Sequence, residues 1–214
     1  NYNSGCIPAD RGFLAALRTL TARHGSVLIF DEVLSAFRTG PDCAQGYYGI
    51  VPDLCAIAKG IANGAPIALV AGRRDLMRLL SPVGPVAHSG TYTDHLFGIL
   101  AGLACLGELI KPGAYPPMLA LADRLYRGLT DALTRHGVPG RVQGLGIRFG
   151  LFFGIEQEVR CYRDAATRNV EMWHRFVRGC VERGVYFQSI GHAVGHHGIS
   201  AAHTAADIDW ALER

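Results

Sequence analysis

The fold is decided by the stretch Val27-Leu28-Ile29-Phe30-Asp31-Glu32-Val33, in which a short apolar run ends abruptly at a charged residue. A second run, Leu54-Cys55-Ala56-Ile57-Ala58, ends in the same way at Lys59. Short apolar runs of this kind are typical of buried strands in an α/β sheet, which present the residues after them at their carboxyl ends. The sequence therefore predicts an α/β protein with Asp31 and Lys59 at the carboxyl ends of neighbouring strands.

Composition and charge narrow the class of protein. The 214 residues include 21 Lys and Arg and 18 Asp and Glu, a net charge of +3. Because the arginines are interspersed with acids and form no run, neither nucleic acid nor an anionic membrane surface is an expected partner. No signal peptide or spanning segment is visible. The six cysteines lack the close spacing of metal or redox pairs, which favours a reduced, cytoplasmic protein.

Lysine is rare in this chain, which makes the position of Lys59 conspicuous. Lys59 and Lys111 are the only two lysines. A lysine and an aspartate together suit pyridoxal 5'-phosphate, since the lysine holds this cofactor as a Schiff base and the aspartate keeps its pyridine nitrogen protonated. Each residue alone has an ordinary interpretation, with Asp31 as a helix cap or core ion-pair partner and Lys59 as a solvated strand end.

Short motifs follow one another along the chain in an informative order. They are Phe30-Asp31-Glu32-Val33, Phe37-Arg38, Pro52-Asp53-Leu54, Lys59, Gly64-Ala65-Pro66, Gly90-Thr91-Tyr92, Phe149-Gly150-Leu151-Phe152-Phe153, Ala202-His203-Thr204 and Asp207-Ile208-Asp209. Each motif alone is weak, but their order and spacing resemble those of the class III aminotransferases over nearly the whole chain. Within that family the chain is most similar to the branch of glutamate-1-semialdehyde 2,1-aminomutase.

The resemblance implies a fold and a domain organisation. The fold is α/β, that of fold-type-I pyridoxal-phosphate-dependent transferases. Residues 1–136 are expected to form the C-terminal part of the large mixed-sheet domain with a linking helix, and residues 137–214 the small C-terminal α+β domain. The turn Gly137-Val138-Pro139-Gly140 marks this boundary. The resemblance also implies a preceding half with the phosphate loop and the ring-stacking residue, so the chain is expected to be a fragment.

The resemblance assigns roles to five residues. Asp31 is expected to pair with the pyridine nitrogen, and Lys59 to form the Schiff base and move the proton during amino transfer. Val33 is expected to pack against the ring from the same face of the strand as Asp31. Gly90 and Thr91 resemble a loop that reaches across a homodimer to the partner's cofactor phosphate, although a hydroxyl near a helix start is more often a helix cap. The predicted catalytic residues are Lys59 and Asp31, and the predicted cofactor-binding residues are these two with Val33, Thr91 and Gly90.

Three positions need separate interpretation. Where the family usually continues with Asn-Pro, this chain has Thr93 and Asp94, either of which is expected to cap the next helix, and Asp94 is unfavourable near a phosphate unless it faces away. Gln143 stands where many class III aminotransferases carry an arginine for the substrate carboxylate, so a standard α-amino acid donor is less favoured there. The aminomutase branch also lacks that arginine.

Amino-group transfer between small molecules is the leading hypothesis, with the aminomutase reaction as its alternative. A hypothesis of another class is a non-catalytic homologue or incomplete fragment. The intact Asp31 and Lys59 argue against it, and the missing phosphate loop argues for it. An unrelated nucleotide-binding module is disfavoured, because Gly144, Gly146 and Gly150 do not fit a dinucleotide fingerprint. A serine hydrolase is equally disfavoured, since Ser89 lacks the flanking glycines of a nucleophile elbow.

A metal site is disfavoured as well. His192, His196 and His197 are close in sequence, but the glycines among them argue against a helix that presents them together, and no acidic or Cys ligand is adjacent.

Periodicity and capping signals predict the remaining elements. We expect helices over residues 12–24, 74–80, 94–110, 116–136 and 164–183 and from residue 204, strands over 27–30, 54–58, 67–71, 147–153, 185–187 and 198–201, and loops over 39–51 and 81–93. Two consequences follow. The Lys59 Nζ atom and the Asp31 carboxylate are expected roughly 6–9 Å apart, to admit a pyridine ring. The helix at 12–24 and the strand at 27–30 are expected to expose an apolar surface.

Overall fold

A computed structural model describes residues 1–189 and 194–214. These residues form two compact units. We call residues Ala9–Ala114 the amino-terminal unit, and residues Asn1–Pro8 together with Tyr115–Arg214 the carboxyl-terminal unit. Among the described residues, none of the helices combines the length and the apolar character needed to cross a bilayer.

The amino-terminal unit is built on a mixed three-stranded sheet. Its strands are β1 (Ile29–Glu32), β2 (Leu54–Ile57) and β3 (Leu69–Gly72), in that spatial order. Strands β1 and β2 run parallel, and β2 and β3 run antiparallel. The two apolar runs predicted that β1 and β2 are neighbouring strands, and this is confirmed. Because the two strands are parallel, their carboxyl ends lie at the same edge of the sheet.

One face of this sheet is covered and the other is open. Phe30, Cys55 and Ile57 point to the covered face and pack in one apolar cluster, because successive side chains of a strand alternate between faces.

The helices of the unit are α1 (Arg11–Arg23), α2 (Cys43–Tyr48), α3 (Arg74–Met77) and α4 (Leu96–Leu109), with a short 3-10 turn at Lys59–Ile61.

Asp53 ties three elements of this unit together just before β2. Its buried carboxylate accepts a hydrogen bond from the Leu28 amide at 2.8 Å and forms ion pairs with Arg18 of α1 at 2.9 Å and Arg73 at 3.0 Å. The Leu28 amide, Arg73 and Arg18 together lower the pKa of Asp53 to about 2. The start of β1 is therefore fixed against the start of β2 by a charged clamp.

The described residues of the carboxyl-terminal unit form an antiparallel sheet and four helices. Its strands are β4 (Gly140–Leu145), β5 (Arg148–Phe153) and β6 (His197–Gly198). Its helices are α5 (Tyr115–Arg135), α6 (Tyr162–Ala166), α7 (Val170–Glu182) and α8 (Ala205–Glu213). Phe149, Leu151 and Phe153 of β5 share one face of the sheet and form the core with the apolar sides of the helices.

The amino-terminal segment of the chain covers the other face of that sheet. A Cβ atom placed on Gly150 would lie 3.0 Å from the backbone of Gly5 and of Cys6. The Tyr2 hydroxyl donates to the Leu145 carbonyl at 3.1 Å. This contact explains why Asn1–Pro8 belongs to the carboxyl-terminal unit although the rest of that unit begins at Tyr115.

Several predicted elements were wrong in extent. The predicted loop at 39–51 contains α2, and the helix predicted over 164–183 is two helices, because Asn169 caps the second by accepting from the Met172 amide at 2.9 Å. Strand β4 was not predicted. Residues 185–187 form no strand, and the one predicted over 198–201 is reduced to β6. The expected domain assignment, 1–136 and 137–214, stays a prediction, although α5 packs with the carboxyl-terminal unit.

Candidate functional site

Asp31 lies on the open face of the sheet, near the carboxyl end of β1, and is exposed. One carboxylate oxygen, Oδ1, accepts a hydrogen bond from the Val33 amide at 3.0 Å, which fixes the orientation of the carboxylate. Across the described residues, no cation forms an ion pair with Asp31. The second oxygen is therefore open to a ligand. Val33 itself is half-buried.

Lys59 follows β2 directly and has a strained backbone. Its φ of 46° lies in the left-handed region, which a residue with a side chain adopts at an energetic cost. The side chain is exposed and has no ion-pair partner in the described part of the chain, whereas Lys111, the other lysine, contacts Glu108 at 2.6 Å. Strained backbone of this kind is concentrated at functional sites.

Strand pairing brings Asp31 and Lys59 to one edge of the sheet. Asp31 pairs with Ala56 across the parallel β1–β2 ladder, and Lys59 lies three residues further along the chain than Ala56. Both residues thus lie at the carboxyl ends of neighbouring parallel strands, as predicted, and this edge is where ligands bind in α/β sheets. The separation of roughly 6–9 Å that a pyridine ring needs stays a prediction.

The open face around Asp31 is apolar and exposed. Ile29 lies two residues before Asp31 and therefore points to the same face. Val70 of β3 pairs with Ala56 and also points to this face. The Ile29 side chain is 60% exposed and that of Val70 is 49% exposed. On α1, Phe13 and Leu20 are also largely exposed, and no residue of that helix is buried. The predicted exposure of apolar surface on this helix and strand is confirmed.

Glu32, next to Asp31, points to the covered face and is 1% exposed. Its carboxylate accepts from the amides of Ala44 and Gln45 at 2.8 and 3.0 Å and from the Ser35 hydroxyl at 3.1 Å. It therefore anchors the amino-terminal end of α2 behind the strand that carries Asp31. Neighbouring residues of a strand point to opposite faces, so Glu32 points away from Asp31, but no local sequence pattern signals that it holds a helix.

Glycines permit close packing after Lys59. A Cβ atom on Gly60 would lie 3.1 Å from the Ala36 carbonyl oxygen and 3.4 Å from the Arg38 guanidinium carbon, and Gly64 has a φ of 105°. The backbone after Lys59 therefore needs glycine both for space and for conformation.

Gly90 and Thr91 lie in an exposed loop, in which the Thr93 amide donates to the Gly90 carbonyl at 3.0 Å. Helix α4 begins four residues after Tyr92, with His95 as its N-cap, whose ring nitrogen Nδ1 accepts from the Gly98 amide at 3.3 Å. The predicted cap at Thr93 or Asp94 was wrong, because the backbone φ of 60° at Asp94 turns the chain before the helix starts. A phosphate contact of Gly90 and Thr91 stays a prediction.

Gln143 is a buried structural residue in the carboxyl-terminal unit. Its Nε2 atom donates to the carbonyls of Cys6 and Val159 at 2.7 and 2.9 Å, and its Oε1 atom accepts from the Val159 amide at 3.1 Å and from Arg141 at 3.2 Å. All of its hydrogen-bonding capacity is used within the protein. A substrate carboxylate therefore finds no donor on Gln143.

The histidine cluster is divided between different environments. His197 is buried among the rings of Phe149, Trp173 and Phe187, and burial lowers its pKa to about 4. His196 instead contacts Arg148. His192 lies outside the described residues. Over residues 1–189 and 194–214, no group of three His, Cys, Asp or Glu side chains could hold a metal ion.

Comparison with known proteins identifies the family. The model of the class-III aminotransferases matches residues 2–214. Similar structures include an omega-transaminase from Sphaerobacter thermophilus (29% identity, TM-score 0.88) and a beta-phenylalanine aminotransferase from Variovorax paradoxus (31%, 0.87). Another is a glutamate-1-semialdehyde aminomutase from Pseudomonas aeruginosa PAO1 (26%, 0.84).

These structural matches cover 98–99% of this chain and 48% of each of the three similar chains. The chain therefore spans about half the length of these relatives. They confirm the expected fold, that of the C-terminal part of the fold-type-I transferases. The chain belongs to the class-III aminotransferase family.

Proposed function

We propose that this chain is the carboxyl-terminal part of a pyridoxal-phosphate-dependent aminotransferase that carries the cofactor on Lys59. One observation carries the proposal. Asp31, with an open carboxylate oxygen, and Lys59, strained and unpaired in the described structure, lie at the carboxyl ends of adjacent parallel strands. A lysine or an aspartate that only keeps the surface soluble needs neither the strained backbone of Lys59 nor the position that Lys59 and Asp31 share at one edge of the sheet.

The residues present fit pyridoxal phosphate. The cofactor needs an amine to hold it and an anion at its pyridine nitrogen, and this edge of the sheet offers one of each. The apolar face formed by Ile29 and Val70 suits an aromatic ring. When bound, pyridoxal phosphate supplies an acceptor for the electrons left when a bond at the substrate's α-carbon breaks.

Asp31 and Lys59 would have different roles in catalysis. The Asp31 carboxylate would hold the proton on the pyridine nitrogen by charge pairing, with its orientation fixed by the Val33 amide. The Lys59 Nζ atom would bind the cofactor covalently and, once released from it, take a proton from the substrate's α-carbon. Val33 would pack against the ring. Glu32 keeps the strand that carries Asp31 in place from the covered face.

The assembly we propose is a cytoplasmic homodimer that acts on small amino donors and acceptors. Support comes from the exposed loop with Gly90 and Thr91, which would reach the cofactor phosphate of the partner subunit. Helix α4 follows this loop and exposes a row of apolar side chains, among them Leu96, Leu100 and Leu103. Exposed apolar surface of this extent marks an interaction site.

The second candidate function is intramolecular amino transfer, as in an aminomutase. Gln143 favours it, because this neutral residue uses its whole amide within the protein and cannot replace a carboxylate-binding arginine. The likeness to the Pseudomonas aeruginosa aminomutase is compatible with it. The two functions differ in one measurable respect. A transaminase consumes a 2-oxo acid acceptor, whereas an aminomutase needs no separate acceptor.

The proposal is tested by turnover in the full-length protein, with amines, β-amino acids and amino aldehydes as substrates, in the presence and absence of a 2-oxo acid. Lys59→Ala should abolish turnover, because the covalent link and the proton acceptor disappear together. Asp31→Ala should retain bound cofactor but lose most of the rate. Lys111→Ala, the matched control at the other lysine, should behave as wild type. Near-normal turnover of Lys59→Ala would rule out the proposal.

A further inference from the structure

Arg148 occupies an unusual position in the carboxyl-terminal unit. It begins β5 and pairs with Gly198 of β6. A Cβ atom on Gly198 would lie 2.7 Å from Arg148 Cδ, 2.8 Å from Nε and 3.0 Å from Cζ, so the guanidinium extends across the glycine. The absence of a side chain at residue 198 creates the space in which the arginine lies.

The guanidinium is poorly compensated in this position. Its Nε atom is buried and has no hydrogen-bond partner in the described structure. Within residues 1–189 and 194–214, Arg148 forms no ion pair with a carboxylate. Residues 190–193, which the structure does not describe, include no acidic residue. A partly buried cation without a counter-anion is costly, and burial accordingly lowers the pKa of Arg148.

The polar groups around Arg148 are neutral. The hydroxyl of Tyr126 donates its proton to the Gly146 carbonyl at 2.9 Å, and that of Tyr2 donates to Leu145. Both phenols interact favourably with the guanidinium, but neither carries charge at neutral pH. His196 contacts Arg148 through its Nδ1 atom at 3.4 Å. Because a guanidinium can only donate, this contact is a hydrogen bond only when Nδ1 of His196 accepts.

We propose that Arg148, with His196 beside it, binds an oxyanion, the carboxylate or phosphate group of a small-molecule ligand. A guanidinium presents two parallel N–H donors that match either group. The ligand would provide the negative charge that the surrounding protein lacks. Residues Arg148, His196, Tyr2, Tyr126 and Gly198 all belong to the carboxyl-terminal unit, so the site exists whether or not Lys59 holds a cofactor.

The test is calorimetric titration of the full-length protein with succinate and, separately, with inorganic phosphate at neutral pH and constant ionic strength. Arg148→Gln should weaken binding by about tenfold or more, since it removes a charge-assisted pair of hydrogen bonds. Gly198→Ala should weaken it similarly, because the added methyl displaces the arginine while the charge remains. Far-UV circular dichroism verifies that both variants fold.

A matched control separates this site from others. Arg178→Gln removes one exposed cation from the same unit and should leave the affinity within about twofold, because surface charges are screened. Loss of succinate affinity in the Arg148 variant identifies a carboxylate ligand, and loss of phosphate affinity alone identifies a phosphate ester. If both anions bind Arg148→Gln and Gly198→Ala as tightly as wild type, or bind none of the proteins, the proposal is wrong.

Discussion

Two buried polar side chains of the carboxyl-terminal unit, Gln143 and His197, are satisfied to very different degrees. The Gln143 amide makes four hydrogen bonds and joins β4 to the amino-terminal segment and to Val159. The Nε2 atom of His197 is buried and has no partner in the described residues. A buried polar group stabilises a fold only when it is paired, so substitutions at these positions should have opposite consequences.

Gln143→Leu should destabilise the protein by roughly 2–4 kcal/mol, because it leaves the buried backbone groups of Cys6 and Val159 without partners. Urea denaturation measures this change in the free energy of unfolding. Any residual activity should show an unaltered Michaelis constant, since Gln143 has no donor for the substrate. A raised Michaelis constant without loss of stability would contradict this assignment.

The pH dependence of stability should contain a contribution from His197. Its pKa in the folded protein is about 4, below its ordinary value of 6.5, so the unfolded chain binds more protons between these pH values. Stability from this residue is therefore complete above about pH 6.5 and is lost as the pH falls towards 4, by up to about 3 kcal/mol.

His197→Phe should remove that pH dependence, because phenylalanine carries no proton and fits the surrounding rings of Phe149, Trp173 and Phe187. Unfolding free energies of wild type and variant, measured across this pH range, give the difference. The exposed His88→Gln serves as control and should follow wild type. Parallel curves for wild type and His197→Phe would show that burial of His197 is irrelevant to acid stability.

Individual residues differ in how far the sequence predicts their environment. The placement of Asp31 and Lys59 at the carboxyl ends of strands was predictable, because each ends an apolar run. The bonds of Gln143 were not, since Cys6 lies 137 residues away and no local pattern signals that contact. The uncompensated environment of Arg148 could not be predicted either, because it depends on the antiparallel pairing with Gly198.

Among the secondary-structure elements, β5 contacts the amino-terminal segment closely enough to require glycine at residue 150. Gly150→Ala would place a methyl group 3.0 Å from the backbone of Gly5 and Cys6, which cannot rotate away as a side chain can. We expect a loss of about 1–3 kcal/mol, typical of overpacking. The matched control is Gly40→Ala, since nothing lies within 4 Å of a Cβ atom there.

Thermal denaturation with limited proteolysis checks this prediction. Gly150→Ala should melt at a lower temperature and expose the segment Asn1–Pro8 to cleavage, whereas Gly40→Ala should resemble wild type. Equal melting temperatures for the two variants would mean that the segment is not held by this contact.

Elements with strong local signals were predicted well, and the others were not. Helix α5 has a long apolar stripe, and α8 starts at a capping box in which Thr204 and Asp207 bond reciprocally. In contrast, β4 contains glycine, arginine and glutamine, and it is a strand because it pairs with β5 along its whole length. Tertiary pairing of this kind overrides local propensity.

At the scale of the whole molecule, the 214-residue chain exposes apolar surface on α1, on the open sheet face and on α4. Leu103 of α4 is 63% exposed and Leu100 is 56% exposed. We expect the chain expressed alone to self-associate, because such surface favours contact with other apolar surface over water. The double variant Leu100→Gln/Leu103→Gln should shift light-scattering masses towards the monomer, whereas Val51→Gln should not. Monomeric wild type would contradict this expectation.

Covalent mapping decides whether Lys59 holds pyridoxal phosphate. The full-length protein is incubated with the cofactor, reduced with borohydride, digested and analysed by mass spectrometry. Within this chain there are only two lysines, so the assignment is unambiguous. We expect a phosphopyridoxyl group on the peptide that contains Lys59 and none on the peptide that contains Lys111. An unmodified Lys59 in a protein labelled elsewhere would contradict it.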